Sequence, residues 1–259
     1  MTPSETRPRR PRVPGPLRAP GPLRSPGRLR TPGPLLAAAL CALPLAATAA
    51  LLAAHGWAPL GPERAAHTWA VTHRPDAAGT AALVITATGS GPVPYALALL
   101  AGALAGRNTR ERLRAAATAL TVLLLGQAVR YGLMELITRP RPSEADWAAR
   151  ATGHSFPSGH STTSLLVAGI LTWAVLTRAR RTPTRRLACA LLGIWTAAVG
   201  ATRVYLGVHW PGDVLAGWLL AAAWLCLTLH LVRTGRLPTP PAPETPHTPT
   251  ATPQPPNSS

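Results

Sequence analysis

Apolar residues fall into six blocks along the chain, separated by shorter polar stretches: about 35–54, 81–106, 115–137, 159–177, 187–206 and 212–232. Each block approaches the roughly 20 residues that carry a helix across ~30 Å of hydrocarbon. Helix is the predicted element because lipid offers no partner to exposed backbone N–H and C=O groups. The second block is interrupted by Gly89, Gly91, Pro92 and Pro94, which predicts a kink or a re-entrant bend there. The expected fold class is all-α: a polytopic membrane protein of six transmembrane helices with a helical-bundle core, occupying 35–233.

Two tails flank this region. Residues 1–34 are rich in Pro, Arg and Gly and repeat a six-residue unit that begins at Pro14, Pro20, Pro26 and Pro32. Residues 234–259 are dominated by Pro, Thr and Ser. Neither composition buries enough apolar surface to order itself, so both tails are expected to be disordered.

Charge then orients the spans. The formal net charge is +17, and the basic residues border the apolar blocks. Arg107, Arg110, Arg112 and Arg114 follow the second span; Arg178, Arg180, Arg181, Arg185 and Arg186 follow the fourth; Arg233 and Arg236 follow the sixth. With six spans these groups and the basic N-terminal tail share one side, which the positive-inside rule makes cytoplasmic. Both termini are then cytoplasmic, and 55–80, 138–158 and 207–211 lie outside. Basic residues placed at span ends suit anionic headgroups rather than nucleic acid, so the expected partners are the bilayer and a lipid, with no nucleic acid. Trp57, Trp69, Trp147 and Trp210 stand near block ends, where an amphipathic ring suits the interface. The three cysteines have no zinc spacing, and neither a metal nor another cofactor is expected.

The outer segments concentrate one kind of chemistry. Arg139-Pro140-Arg141-Pro142 ends the third span, Pro157-Ser158-Gly159-His160 opens the fourth, and Arg203, His209 and Asp213 join the fifth to the sixth. Phosphoryl transfer spreads charge over three oxygens and needs guanidinium forks and aimed N–H groups. Arg141 and Arg203 can supply the forks. Pro157-Ser158-Gly159 reads as a helix start, whose free N–H groups form an anion site. Pro211 at the start of the sixth span places Asp213 in its first turn, where the carboxylate can hold one ring nitrogen of His209 and leave the other to attack phosphorus. His160 can protonate the leaving oxygen.

These residues resemble the type 2 phosphatidic acid phosphatases, a family whose helical core is shared with the vanadium haloperoxidases. Pro157-Ser158-Gly159-His160 matches its second motif fully. Arg203, His209 and Asp213 match the third in spacing, with Thr202 in place of Ser. Arg141-Pro142 fits the end of the first, but Met134 stands where the motif has Lys. The resemblance covers roughly 80–232. It implies catalytic roles for His209 (nucleophile), Asp213 (its orienting carboxylate) and His160 (general acid). It implies phosphate contacts from Arg141, Ser158, Gly159 and Arg203, and metal-independent hydrolysis of a lipid phosphate or diphosphate through a phosphohistidine.

Arg130 lies one helical turn before Met134 on the same face, about 5.4 Å deeper, and is the expected substitute for the missing Lys. Arg139 fits either a further phosphate contact or a headgroup contact. Glu135 can pair with Arg130 or Arg139, while Glu144 and Asp146 read as solvated loop residues. Three readings stay open beside hydrolysis: phosphoryl transfer to another acceptor, a non-catalytic lipid-phosphate-binding protein of the same fold, and a soluble haloperoxidase relative. The substrate is equally open among phosphatidic acid, a polyprenyl diphosphate and phosphatidylglycerol phosphate.

Overall fold

The computed structural model describes residues 33–235, so the expectations for the tails lie outside the described residues, apart from their innermost positions. The described residues form eight α-helices: α1 (Pro34–Ala54), α2 (Gly61–Thr72), α3 (Asp76–Ala87), α4 (Pro92–Ala105), α5 (Thr109–Ile137), α6 (Gly159–Arg178), α7 (Thr182–Tyr205) and α8 (Pro211–Arg233). Five of them, α1 and α5–α8, are long and apolar enough to cross a membrane; the pair α3 and α4, bent by 46°, makes a sixth span if counted as one. The fold is therefore the expected all-α membrane bundle, with the break in the second block at 88–91. Gly91, at φ 63°, occupies the left-handed region that favours glycine, and Pro92 restarts the helix behind it.

α6 is the central helix, packed against α4, α5, α7 and α8, while α1 lies against α8 and α3 against α7. Its core-facing residues are small or branched. Leu166, Val167, Ile170 and Ala174 meet Ala98, Ala101 and Ala105 of α4, Ala119 and Leu123 of α5 and Ala221 of α8. Small residues let helix backbones approach, which matters where lipid removes the hydrophobic drive between helices. Gly102 shows the closeness: a Cβ there would overlap the backbone of Ala116 on α5. The hydroxyls of Thr162 and Thr163 donate to Ser158 O and Gly159 O on their own helix, which satisfies polar groups that lipid cannot. Outward, Leu43, Leu113, Leu136 and Ile194 are exposed, as expected of side chains solvated by hydrocarbon.

The start of α6, the start of α8 and the ends of α5 and α7 meet at one end of the bundle. At the other end Arg178 donates to Leu104 O and Gly106 O at 2.8 and 3.0 Å, which brings the two Arg-rich turns together. The stretch 55–80, read from sequence as a loop, instead contains α2 and the start of α3. α2 starts without a Ser, Thr, Asp or Asn cap. Glu63, in its first turn, turns back to accept the Leu60 N–H at 2.8 Å. Trp210 also departs from expectation. It is buried rather than interfacial, its ring tilted by 56° against that of His67 at 5.1 Å and its indole N–H donating to Pro140 O.

Candidate active site

The motif residues converge on a cavity of about 510 Å³ at the end of the bundle where α6 and α8 begin. Arg130, Arg141, Gly159, His160, Arg203 and His209 all line it. The α3–α4 break supplies a wall through Gly89, Ser90 and Gly91, and Tyr95 and Tyr131 complete an apolar side.

His209 is buried and held at both ring nitrogens. Its Nδ1 lies 3.3 Å from Asp213 Oδ2, and its Nε2 lies 2.9 Å from Arg141 Nη1. A guanidinium can only donate, so Nε2 is the unprotonated nitrogen, and Nδ1 carries the hydrogen toward Asp213. Burial, reinforced by the cations Arg141, Arg203 and Arg130, holds the imidazole well below its ordinary value of 6.5, so the ring is neutral at physiological pH. At the cavity wall the Nε2 lone pair is thus engaged by Arg141, and the tautomer that puts it there is set by a carboxylate.

Asp213 sits in the first turn of α8 and is fully buried. Its Oδ2 also accepts the Trp210 N–H at 2.9 Å, and its Oδ1 accepts from Arg139 at 2.6 Å. Glu63 of α2 completes the arrangement. It takes two hydrogen bonds from Arg139, at 3.2 and 2.7 Å, and a third from Gly212 N–H of α8 at 3.0 Å. Arg139 Nε donates to Trp57 O at 3.2 Å. Arg139 is 0% exposed. It is therefore neither a phosphate contact nor a headgroup contact, because it is fully enclosed and three of its N–H groups are bound to the two carboxylates. Glu63 carried no motif. The one available signal was Pro62-Glu63 at a helix start, with the acid placed to cap its own helix.

Three further expectations change in detail. Arg141 lines the cavity, but its donors go to Gly153 O (3.0 Å), Thr152 O (2.9 Å), His154 O (3.1 Å) and Val208 O (2.8 Å) as well as to His209. It clamps the 152–154 loop against His209 instead of presenting a free fork. Burial lowers its pKa to about 10 against the pull of Asp213, which still leaves it cationic. Ser158 is fully buried and does not line the cavity: its hydroxyl accepts from Ser161 Oγ at 3.1 Å, and its N–H donates to Asp213 O. Gly159 makes room for a side chain: a Cβ there would lie 3.0 Å from Cζ of Arg130.

Arg203 and Arg130 keep capacity for an anion. Arg203 is buried, donates one bond to Thr86 Oγ1 of α3 at 2.9 Å, and its Nε has no partner among the described residues. Arg130 donates to Pro157 O at 3.1 Å and lies across Gly159, while Met134 is buried beside Gly153. Glu135 lines the cavity and pairs with neither Arg130 nor Arg139. Asp146 is not simply solvated: it pairs with His67 of α2 at 3.0 Å.

Residues 115–236 match the model of the PAP2 superfamily. This segment belongs to that superfamily. The PAP2 segment holds every cavity-lining motif residue, whereas Glu63 and Thr86 lie before it. Over 122 residues the chain is 34% identical to phosphatidylglycerophosphatase B of Escherichia coli K12, covering 46% of this chain and 45% of that one. Over 124 residues it is 32% identical to an undecaprenyl-diphosphatase of Sulfolobus acidocaldarius, covering 44% and 51%. The chain thus spans about half the length of the curated relatives it matches. A solved transmembrane PAP2 type phosphatidylglycerolphosphate phosphatase from Bacillus subtilis superposes with a TM-score of 0.65 at 25% identity, covering 78% of this chain and 98% of that one.

Removing one partner of a buried ion pair leaves the other charge uncompensated, at a cost of about 3–5 kcal/mol. Arg139→Ala is expected to lose stability on that scale, read as a drop in Tm in detergent. An unchanged Tm would contradict the structural role of Arg139.

Proposed function

We propose that the chain is a metal-independent membrane phosphatase that hydrolyses a lipid phosphate or diphosphate through a phosphohistidine. The observation that carries this reading is His209, held neutral with Nε2 unprotonated at a cavity lined by Arg130, Arg203 and His160. In the proposed reaction the Nε2 lone pair forms the N–P bond as the P–O bond to the lipid breaks. The leaving oxygen takes that electron pair and a proton from His160. Water then attacks phosphorus, its proton passes to His160, and the N–P bond breaks to regenerate the imidazole. Arg203, Arg130 and the start of α6 stabilise the charge that spreads over the phosphoryl oxygens. Arg141 leaves Nε2 as the phosphoryl group arrives and turns its Nη1 toward it.

The names of the relatives support a lipid carrying a phosphate monoester or a diphosphate, and the Tyr95 and Tyr131 side of the cavity suits an apolar tail. A second reading, a lipid-phosphate-binding protein without turnover, is favoured only by Met134.

The deciding assay is phosphate release from phosphatidic acid, phosphatidylglycerol phosphate and a polyprenyl diphosphate in detergent with excess chelator. Turnover is expected to survive the chelator and to fall at least about 10³-fold in His209→Ala. Because the attacking imidazole must be neutral and its pKa is depressed, the acid limb of kcat/KM is expected below 6.5. Binding of these lipids without release by wild-type protein would favour the second reading.

Arg130 takes the place of the motif Lys. Arg130→Ala is expected to raise KM about tenfold, and adding Met134→Lys to that variant is expected to recover most of the loss. Unchanged kinetics in Arg130→Ala would remove it from the site.

We infer that the site faces outward and both termini face the cytoplasm, on the distribution of Arg between the two ends. A cysteine at Glu144 in a cysteine-free background is expected to react with an impermeant maleimide in intact cells, and one at Arg180 only after lysis. The opposite pattern would invert the topology.

A further inference from the structure

Glu63 lies outside the PAP2 segment and does not touch the cavity, yet it is tied to the histidine that faces it. Asp213 holds His209 but also binds Arg139 at 2.6 Å, a contact that on its own would neutralise the carboxylate. Glu63 grips the same guanidinium with both oxygens. With both carboxylates ionised, two acids share one cation and the chain keeps one negative charge in excess. That charge is fully enclosed: Arg139 and Asp213 are 0% exposed and Glu63 5%. Low polarizability makes such a charge felt over several ångströms.

We propose that Glu63 is a positioning residue for the phosphoryl-accepting histidine: by competing for Arg139 it leaves Asp213 an effective anion that balances the imidazole when that ring becomes cationic. The proposal rests on the reading of His209 as nucleophile. When Nε2 gives its lone pair to phosphorus and Nδ1 keeps its hydrogen, the ring gains a positive charge among three arginines. Asp213 fully paired to Arg139 would offer it little compensation. Glu63 also fixes the carboxylate geometry, since its third bond, to Gly212 N–H, docks α2 onto the first turn of α8 that carries Asp213.

The charged groups around His209 are Asp213 on α8, Arg141 and Arg139 from the 138–158 segment, His160 on α6, Arg203 on α7 and Arg130 on α5. Around Glu63 they are Arg139 and, one turn along α2, His67 with its partner Asp146. Glu63→Gln keeps the side-chain shape, removes the charge and turns one of the two acceptor oxygens into an N–H donor. Protonated His209 then loses a stabilising anion, so its proton leaves more readily and the acid limb moves down.

The test measures kcat, KM and the pH profile of phosphate release from phosphatidic acid for wild type, Glu63→Gln, and Glu63→Gln combined with Arg139→Gln. In Glu63→Gln, kcat is expected to fall at least about tenfold with KM within about twofold, and the acid limb of kcat/KM to move down by about one pH unit. The double variant again has one acid in excess, and its limb is expected to return to the wild-type position. A merely structural role predicts the reverse: an unmoved limb in Glu63→Gln and a worse double variant. An unmoved limb in active Glu63→Gln protein overturns the proposal. If Glu63→Gln is not recovered folded, the double variant decides, because a limb displaced downward there overturns the proposal as well. Wild-type protein without turnover sinks the phosphatase reading itself, and that result is distinct from an active wild type with an indifferent Glu63→Gln.

Discussion

One guanidinium between two carboxylates organises the cavity end of this protein. Arg139 bridges Glu63 and Asp213, and each acid stands in the first turn of its own helix and caps that helix. None of the three groups could be buried alone near a membrane without heavy cost, so they are stable only together. Their union fixes α2 on α8, places Asp213 under His209 and ties the 138–158 segment to both. The orientation of the histidine is thus a consequence of how a buried charge is neutralised.

The same accounting of donors divides labour among four arginines that look alike in sequence. Arg139 gives three N–H groups to Glu63 and Asp213 and a fourth to Trp57 O, all within a fully buried setting. Arg141 spends most of its donors on carbonyls of the 152–154 loop and Val208. Arg203 and Arg130 each make a single bond to the protein and stay at the cavity wall. The last two are the pair best able to meet an arriving anion, and they come from α7 and α5, helices whose packing against α6 fixes the spacing between them.

The six spans, the break near Gly91 and the gathering of His160, Arg203, His209 and Asp213 at one end could be read from sequence, because each follows from local rules: block length, proline and glycine, and fixed spacing within a helix turn. What could not be read depends on long-range partners. Arg139 and Arg141 are two residues apart in one motif, and only the fold shows that one faces the core and the other the loop. Ser158 belongs to a fully matched motif, yet the turn into α6 directs its hydroxyl to Ser161. Glu63 was invisible because α2 is short and weakly apolar, and because its partners lie 76 and 149 residues away. Met134 is the instructive case: a gap in the motif was visible, and so was Arg130 one turn away, but the space over Gly159 that receives the guanidinium is a property of the α5–α6 packing.

The break between α3 and α4 gives this polar site its relation to the membrane. A continuous helix across 88–91 would run its side chains past the mouth of the cavity, whereas Gly89 and Gly91 leave a wall made largely of backbone. A Cβ at Gly89 would lie 2.5 Å from Val199 Cγ1, so the chain passes close to α7 at the break, just after Thr86 meets Arg203. Bend, glycine and arginine are therefore one device. The close approach at Gly89 keeps this end of α3 against α7, and Arg203 lines the same cavity as the exposed Tyr131. An amphiphilic ligand needs a cationic end and an apolar flank in continuous contact, and the bent span walls the cavity where Arg203 of α7, Arg130 and Tyr131 of α5 and its own Tyr95 come together.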